Sequence, residues 1–143
     1  MRKKSIFKEI EKWNEERNLI KTPKDFDVYN DMSFIIEELY EMVTPLKSKE
    51  ARVKALALME VIKRDDYKPT EEQIIDALGD VIVFATGSIR KQGYDTDIVM
   101  EEVLKEINSR TGNLIDGKFV KDKSKEAQEK WYKADFSKAK IED

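Results

Sequence analysis

The chain has 143 residues, is 40% hydrophobic and 40% charged, and carries a formal net charge of −3. That is enough for one domain with a modest core, and the acidic balance offers no bulk attraction to nucleic acid. Cysteine and histidine are both absent, which excludes disulfides, thiolate nucleophiles, Cys-ligated zinc, the serine triad and histidine metal sites. Hydrolytic chemistry here has to come from carboxylates, Lys, Tyr or Ser/Thr. No run approaches the roughly 20 apolar residues of a membrane span. The basic start, Met1-Arg2-Lys3-Lys4, leads into Ile6-Phe7-Lys8-Glu9 and not into an apolar signal core. The expectation is a cytoplasmic protein with no membrane and no nucleic-acid partner.

Five helical segments follow one another, without a repeat of solenoid length. The first runs from about Lys4 to Arg17, with Ile6, Ile10 and Trp13 on one face, and Lys21–Asp25 separates it from the second. The second runs from about Val28 to Val43 and stops before Pro45. The third, about Ser48 to Lys63, carries Val53, Leu56, Met59 and Ile62 as its stripe. Thr70 is placed to cap the fourth, with Glu71, Glu72 and Gln73 in its first turn, and that helix runs to about Lys91 and ends at Gly93. The fifth runs from about Thr96 to Arg110. Asp116-Gly117 is a turn signal between short apolar stretches, read as a small hairpin or a loop. A polar, basic tail from about residue 122 offers Trp131, Tyr132 and Phe136 as docking points. The expected fold is one all-α domain over residues 1–143, an antiparallel bundle of about five helices.

Two acidic clusters carry the chemistry. In the second helix Met32, Ile35, Ile36, Leu39 and Val43 form an apolar face, and Glu37, Glu38 and Glu41 lie opposite it. A solvated face is the plain alternative. Phe34, Tyr40 and Met42 beside the acids suggest instead that more than one side is covered, and crowded carboxylates favour a cation. In the fourth helix Asp76 and Asp80 are the only charges in the apolar run Ile74–Ala85, and they share a face at i, i+4. Such a run predicts a buried helix, in which two unpaired carboxylates need a metal or basic partners. Carboxylates offered by facing helices of a bundle suit Mg²⁺, with Mn²⁺ as the alternative, and such ions hold phosphate oxygens. The near-continuous apolar run also predicts that another subunit completes the core, giving a homodimer or homotetramer.

Glu37-Glu38-Leu39-Tyr40-Glu41 resembles the EExxE motif of the MazG-like all-α nucleoside triphosphate pyrophosphohydrolases. The second motif of that superfamily is ExxD. Here Ala77 stands where its Glu would be, and Asp76 one residue earlier gives Asp76-Ala77-Leu78-Gly79-Asp80. This variant, with Gly87-Ser88, Gly93, Glu101-Glu102-Val103, Asn108-Ser109-Arg110 and Asp116-Gly117-Lys118, resembles the phosphoribosyl-ATP pyrophosphohydrolase-like branch over about Met32 to Phe136. The resemblance implies Mg²⁺-dependent cleavage of a nucleoside triphosphate, a dNTP or non-standard NTP, to the monophosphate and pyrophosphate. It implies Glu37, Glu38, Glu41 and Asp80 as metal ligands, with Asp76 a ligand or a residue behind them. Glu38 is also the candidate base that aligns or deprotonates water. Lys54, Lys91, Asn108, Arg110 and Lys118 are the candidates for phosphate contacts, with a plain surface position as the alternative for each. Trp13 and Tyr40 are candidates to stack on a base, with core packing as the alternative. A non-catalytic helical interaction protein, or a nucleotide-binding protein without hydrolysis, is the rival reading.

Overall fold

The structure is a computed structural model that describes residues 5–20 and 26–141. Helices hold 65% of the described residues, and a small two-stranded sheet accompanies them, so the fold is all-α as the sequence predicts. In chain order the elements are α1 (Ile6–Glu16), α2 (Val28–Val43), α3 (Ser48–Lys63), α4 (Glu71–Lys91), α5 (Thr96–Asn108), β1 (Gly112–Ile115), β2 (Lys118–Lys121) and α6 (Lys125–Glu129). A 3-10 turn, Phe136–Ala139, follows. The expected helix start at Lys4 and the separator Lys21–Asp25 lie outside the described residues.

Local chemistry sets these limits. The Asp27 carboxylate accepts from the Asn30 amide at 2.9 Å, and Asp31 accepts from the Asp27 amide at 3.0 Å, so both ends of the first turn of α2 are capped. Thr70 and Gln73 do the same for α4, the Thr70 hydroxyl accepting from the Gln73 amide at 3.2 Å and Gln73 Oε1 accepting from the Thr70 amide at 2.8 Å. Asp95 caps α5 through the Ile98 amide at 3.2 Å. Past α4, Gly93 takes φ +87°, the left-handed conformation that ends helices at little cost in glycine.

The chain forms two compact units, one within residues 24–79 and the other within 1–23 and 80–143. The first is built on a hairpin of α2 and α3. Its buried apolar residues are Ala51, Ala55 and Met59, spaced i, i+4, i+8 along α3. The sequence predicts a different stripe: of its members Met59 is buried, while Val53 and Leu56 are exposed. On α2 the inner face is likewise rotated from the predicted one. Ser33 and Glu37 are buried, whereas Leu39 and Val43 of the expected apolar face are exposed. Two alanines let a neighbouring backbone approach closely, and a polar side that finds partners costs less to bury than hydropathy alone suggests.

In the second unit α1 packs on α5, with Ile6, Ile10 and Trp13 partly buried as the first stripe predicts. β1 and β2 form an antiparallel hairpin in which Leu114 faces Phe119. Its turn residues Asp116 and Gly117 have φ of +50° and +76°, the two positive values of a type I′ turn. Gly112 is required at the other end, because a Cβ there would meet Val120 O at 2.1 Å. The basic tail is more ordered than its composition suggests. Ser124 caps α6, and the segment after it runs to the loop before α5, where Ile141 N donates to Gly93 O and Asp95 N donates to Ala139 O, each at 2.8 Å. Trp131 and Tyr132 are partly buried, as docking residues should be, while Phe136 is exposed.

Helix α4 departs most from expectation. The sequence predicts a buried helix, yet Ile75, Leu78, Val81, Ile82, Val83 and Phe84 are all exposed, Phe84 by 75%. Asp76 and Asp80 are exposed as well. Within one chain their charges are therefore solvated, and the burial argument for a compensating partner does not act on them there. Among the described residues no helix is long and apolar enough to cross a membrane.

Candidate functional site

Glu37, the first acid of the α2 cluster, is 2% exposed and turned toward α3. Its Oε2 lies 3.8 Å from Arg52 Nη1. The guanidinium donates to Ser33 Oγ at 2.5 Å and to Asn30 Oδ1 at 3.1 Å, and it lies 4.3 Å from the centre of the Phe34 ring. Ser33 in turn donates to Asn30 O at 2.5 Å. Arg52 thus gathers residues from three successive turns of α2, spaced 30, 33–34 and 37. A planar fork of five donors is suited to this, because it serves several acceptors and an aromatic face at once.

Glu41 follows Glu37 by one turn on the same side of α2. It is partly buried, and its Oε1 is sealed from solvent with no hydrogen-bond donor among the described residues. A buried carboxylate oxygen without a donor is expensive. Glu38 lies on the exposed side of the helix. Among the described residues no three acidic side chains stand together as a group able to hold a metal ion. Asp76 and Asp80 occupy successive turns of α4, Asp76 within the unit that holds α2 and Asp80 at the start of the other.

The candidate phosphate contacts are spread out. Lys54 is exposed on α3 and Lys91 is exposed at the end of α4. Asn108, at the end of α5, lines a cleft of about 410 Å³ between α1 and α5, together with Glu9, Trp13, Glu101, Leu104 and Lys105. Arg110 is partly buried; its Nη2 pairs with Glu106 at 3.2 Å, and its guanidinium lies 5.3 Å from the centre of the Trp131 ring. Lys121 approaches the same ring at 5.4 Å. Lys118 is partly buried on β2. Trp13 already has the Arg17 guanidinium at 4.3 Å from its ring centre and the edge of Phe119 at 5.6 Å, so the packing role accounts for much of its surface.

A second buried acid, Glu102 on α5, is 2% exposed. It accepts from the Tyr132 hydroxyl, from the Asp135 amide at 3.0 Å and from Lys105 Nζ at 2.9 Å. These donors, the tyrosine hydroxyl foremost and the Asp135 amide next, hold its carboxyl down at about 2. The same bond raises the Tyr132 hydroxyl above its ordinary value. Glu102 therefore ties the tail to α5.

Two partnerships are not legible in the sequence, Arg52 with Glu37 and Tyr132 with Glu102. The Ser33-Glu37 spacing of one turn, which sets both on one side of α2, is the available signal for the first. The chain matches no family model, no curated protein and no solved structure.

Proposed function

We propose that this chain hydrolyses a nucleoside triphosphate to its monophosphate and pyrophosphate with Mg²⁺, at a site centred on the acids of α2. The observation that carries the reading is Glu41, whose Oε1 is buried without a donor among the described residues, one turn from the buried Glu37. A divalent cation is a fitting partner for such an oxygen, and all-oxygen donors suit Mg²⁺. Glu38 and Glu41 would hold the ion, with Asp76, in the same unit, as a further ligand or a residue behind them. When bound, Mg²⁺ supplies charge neutralisation on phosphate oxygens and lowers the pKa of water. Glu38, on the exposed side of α2, is the carboxylate assigned to align a water molecule or take its proton. Glu37 has the supporting part: through Arg52 it fixes the rotation of α2 and so the direction in which Glu38 and Glu41 project. Of the candidates for orienting phosphate oxygens, Lys54 lies in the same unit as α2.

The test is pyrophosphate release from a panel of NTPs and dNTPs with Mg²⁺. Wild-type protein is expected to release it, Glu41→Ala to lose release while keeping its helicity, and Glu71→Ala, in the exposed first turn of α4, to keep it. Mg²⁺ should also raise the melting temperature by linkage. Full activity in folded Glu41→Ala, or no release from any nucleotide, removes the proposal. The exposed apolar residues of α4 favour the second reading, a helical interaction protein without catalysis, and the same assay separates the two.

A further inference from the structure

Helix α4 is 21 residues long, and its apolar residues are not scattered. Ile75, Leu78, Ile82, Ala85 and Ile89 recur at spacings of three, four, three and four, the seam of a two-helix coiled coil. Ile75, Leu78 and Ile82 in this seam are 65%, 36% and 47% exposed. At 100° per residue Asp76 and Asp80 lie on the far side of the helix from it.

The ends of α4 carry opposite charge, Glu71 and Glu72 in the first turn and Arg90 and Lys91 in the last. The seam is also nearly symmetric about Ile82, with Ile75 and Ile89 each seven residues away and Leu78 and Ala85 four and three. A second α4 running in the opposite direction would meet Ile82 with Ile82 and Ile75 with Ile89, and would set the large Leu78 within one residue of the small Ala85. It would bring Glu72 within two residues, about 3 Å of helix rise, of the partner's Arg90. A parallel partner would set Glu71 and Glu72 beside their own copies, which repels.

We propose that two copies of this chain associate through α4, antiparallel, about a two-fold axis at Ile82. The occupant is a second copy because the seam complements itself in size, in charge and in direction. This pairing leaves the Asp76 and Asp80 side of the helix open, and it stands or falls independently of the hydrolytic reading.

The chain has no cysteine, so single cysteines report the geometry directly. Wild-type protein at micromolar concentration should have twice the 16.8 kDa mass of the chain by light scattering. Under mild oxidation Ile82→Cys should form a disulfide-linked dimer. Ile75→Cys alone should not, but mixed with Ile89→Cys it should cross-link to that variant. Ile82→Glu should give a monomer of unchanged far-UV circular dichroism. A monomeric wild-type chain overturns the proposal. So does efficient self-cross-linking of Ile75→Cys, which marks a parallel pair, or cross-linking of Phe84→Cys as strong as that of Ile82→Cys, which marks random collision.

Discussion

Arg52→Ala is the substitution expected to damage the α2–α3 hairpin most. Arg52 donates to Ser33 Oγ and Asn30 Oδ1, lies over the Phe34 ring, and stands 3.8 Å from the buried Glu37 carboxylate. Hydrogen bonds to a charged group contribute about 1.5–3 kcal/mol each, and a partly desolvated cation–π contact about 1–2 kcal/mol. These do not add in full. The Arg52 side chain is 20% exposed, so water reaches part of the network, and Ser33 keeps its bond to Asn30 O. A loss of about 2–4 kcal/mol is expected, large beside the roughly 0.5 kcal/mol of ordinary surface changes. Arg52→Lys keeps the charge but not the fork, and should recover less than half of it. The measurement is urea unfolding followed by circular dichroism, with Glu37→Gln and the double variant completing a cycle. The Arg52–Glu37 coupling should fall between about 0.5 and 3 kcal/mol, as it does for residues in one network. A loss below about 1 kcal/mol for Arg52→Ala, or strict additivity in the cycle, would refute the view that this arginine organises the inner face of α2.

Two further outcomes follow from the second unit. The Glu102 carboxyl is lowered from 4.5 to about 2 in the folded chain, so its contribution is complete above pH 4.5 and is lost as the pH falls toward about 2. Thermal melts across that window should show Tyr132→Phe and wild type converging at low pH, with the gap between them widest above pH 4.5; a gap that does not change with pH contradicts the assignment. Gly112→Ala should break the β1–β2 register, since its Cβ would press on the Val120 carbonyl at 2.1 Å. Loss of the cross-strand nuclear Overhauser contacts between Leu114 and Phe119 would show this, and an intact hairpin would argue against so close an approach.

What the sequence by itself determined is local. The limits of α2, α4 and α5 follow from Asp27, Thr70 and Asp95, because capping bonds join residues no more than four apart. The Asp116-Gly117 turn follows for the same reason, its positive φ values being cheap in those two residue types. The acidic clusters were visible as patterns on α2 and α4. Only the tertiary structure decided which side of each helix faces inward. Hydropathy assigned α2 its Leu39 and Val43 face, but Arg52, from the neighbouring helix, made burial of Glu37 and Ser33 affordable and left Leu39 and Val43 outside. Tyr132 reaches Glu102 from 30 residues away, a separation at which no periodicity speaks. The apolar run of α4 stated that something must cover the helix. It carried no information on whether that cover comes from its own chain, because hydrophobic attraction has no direction and draws on any apolar surface within reach.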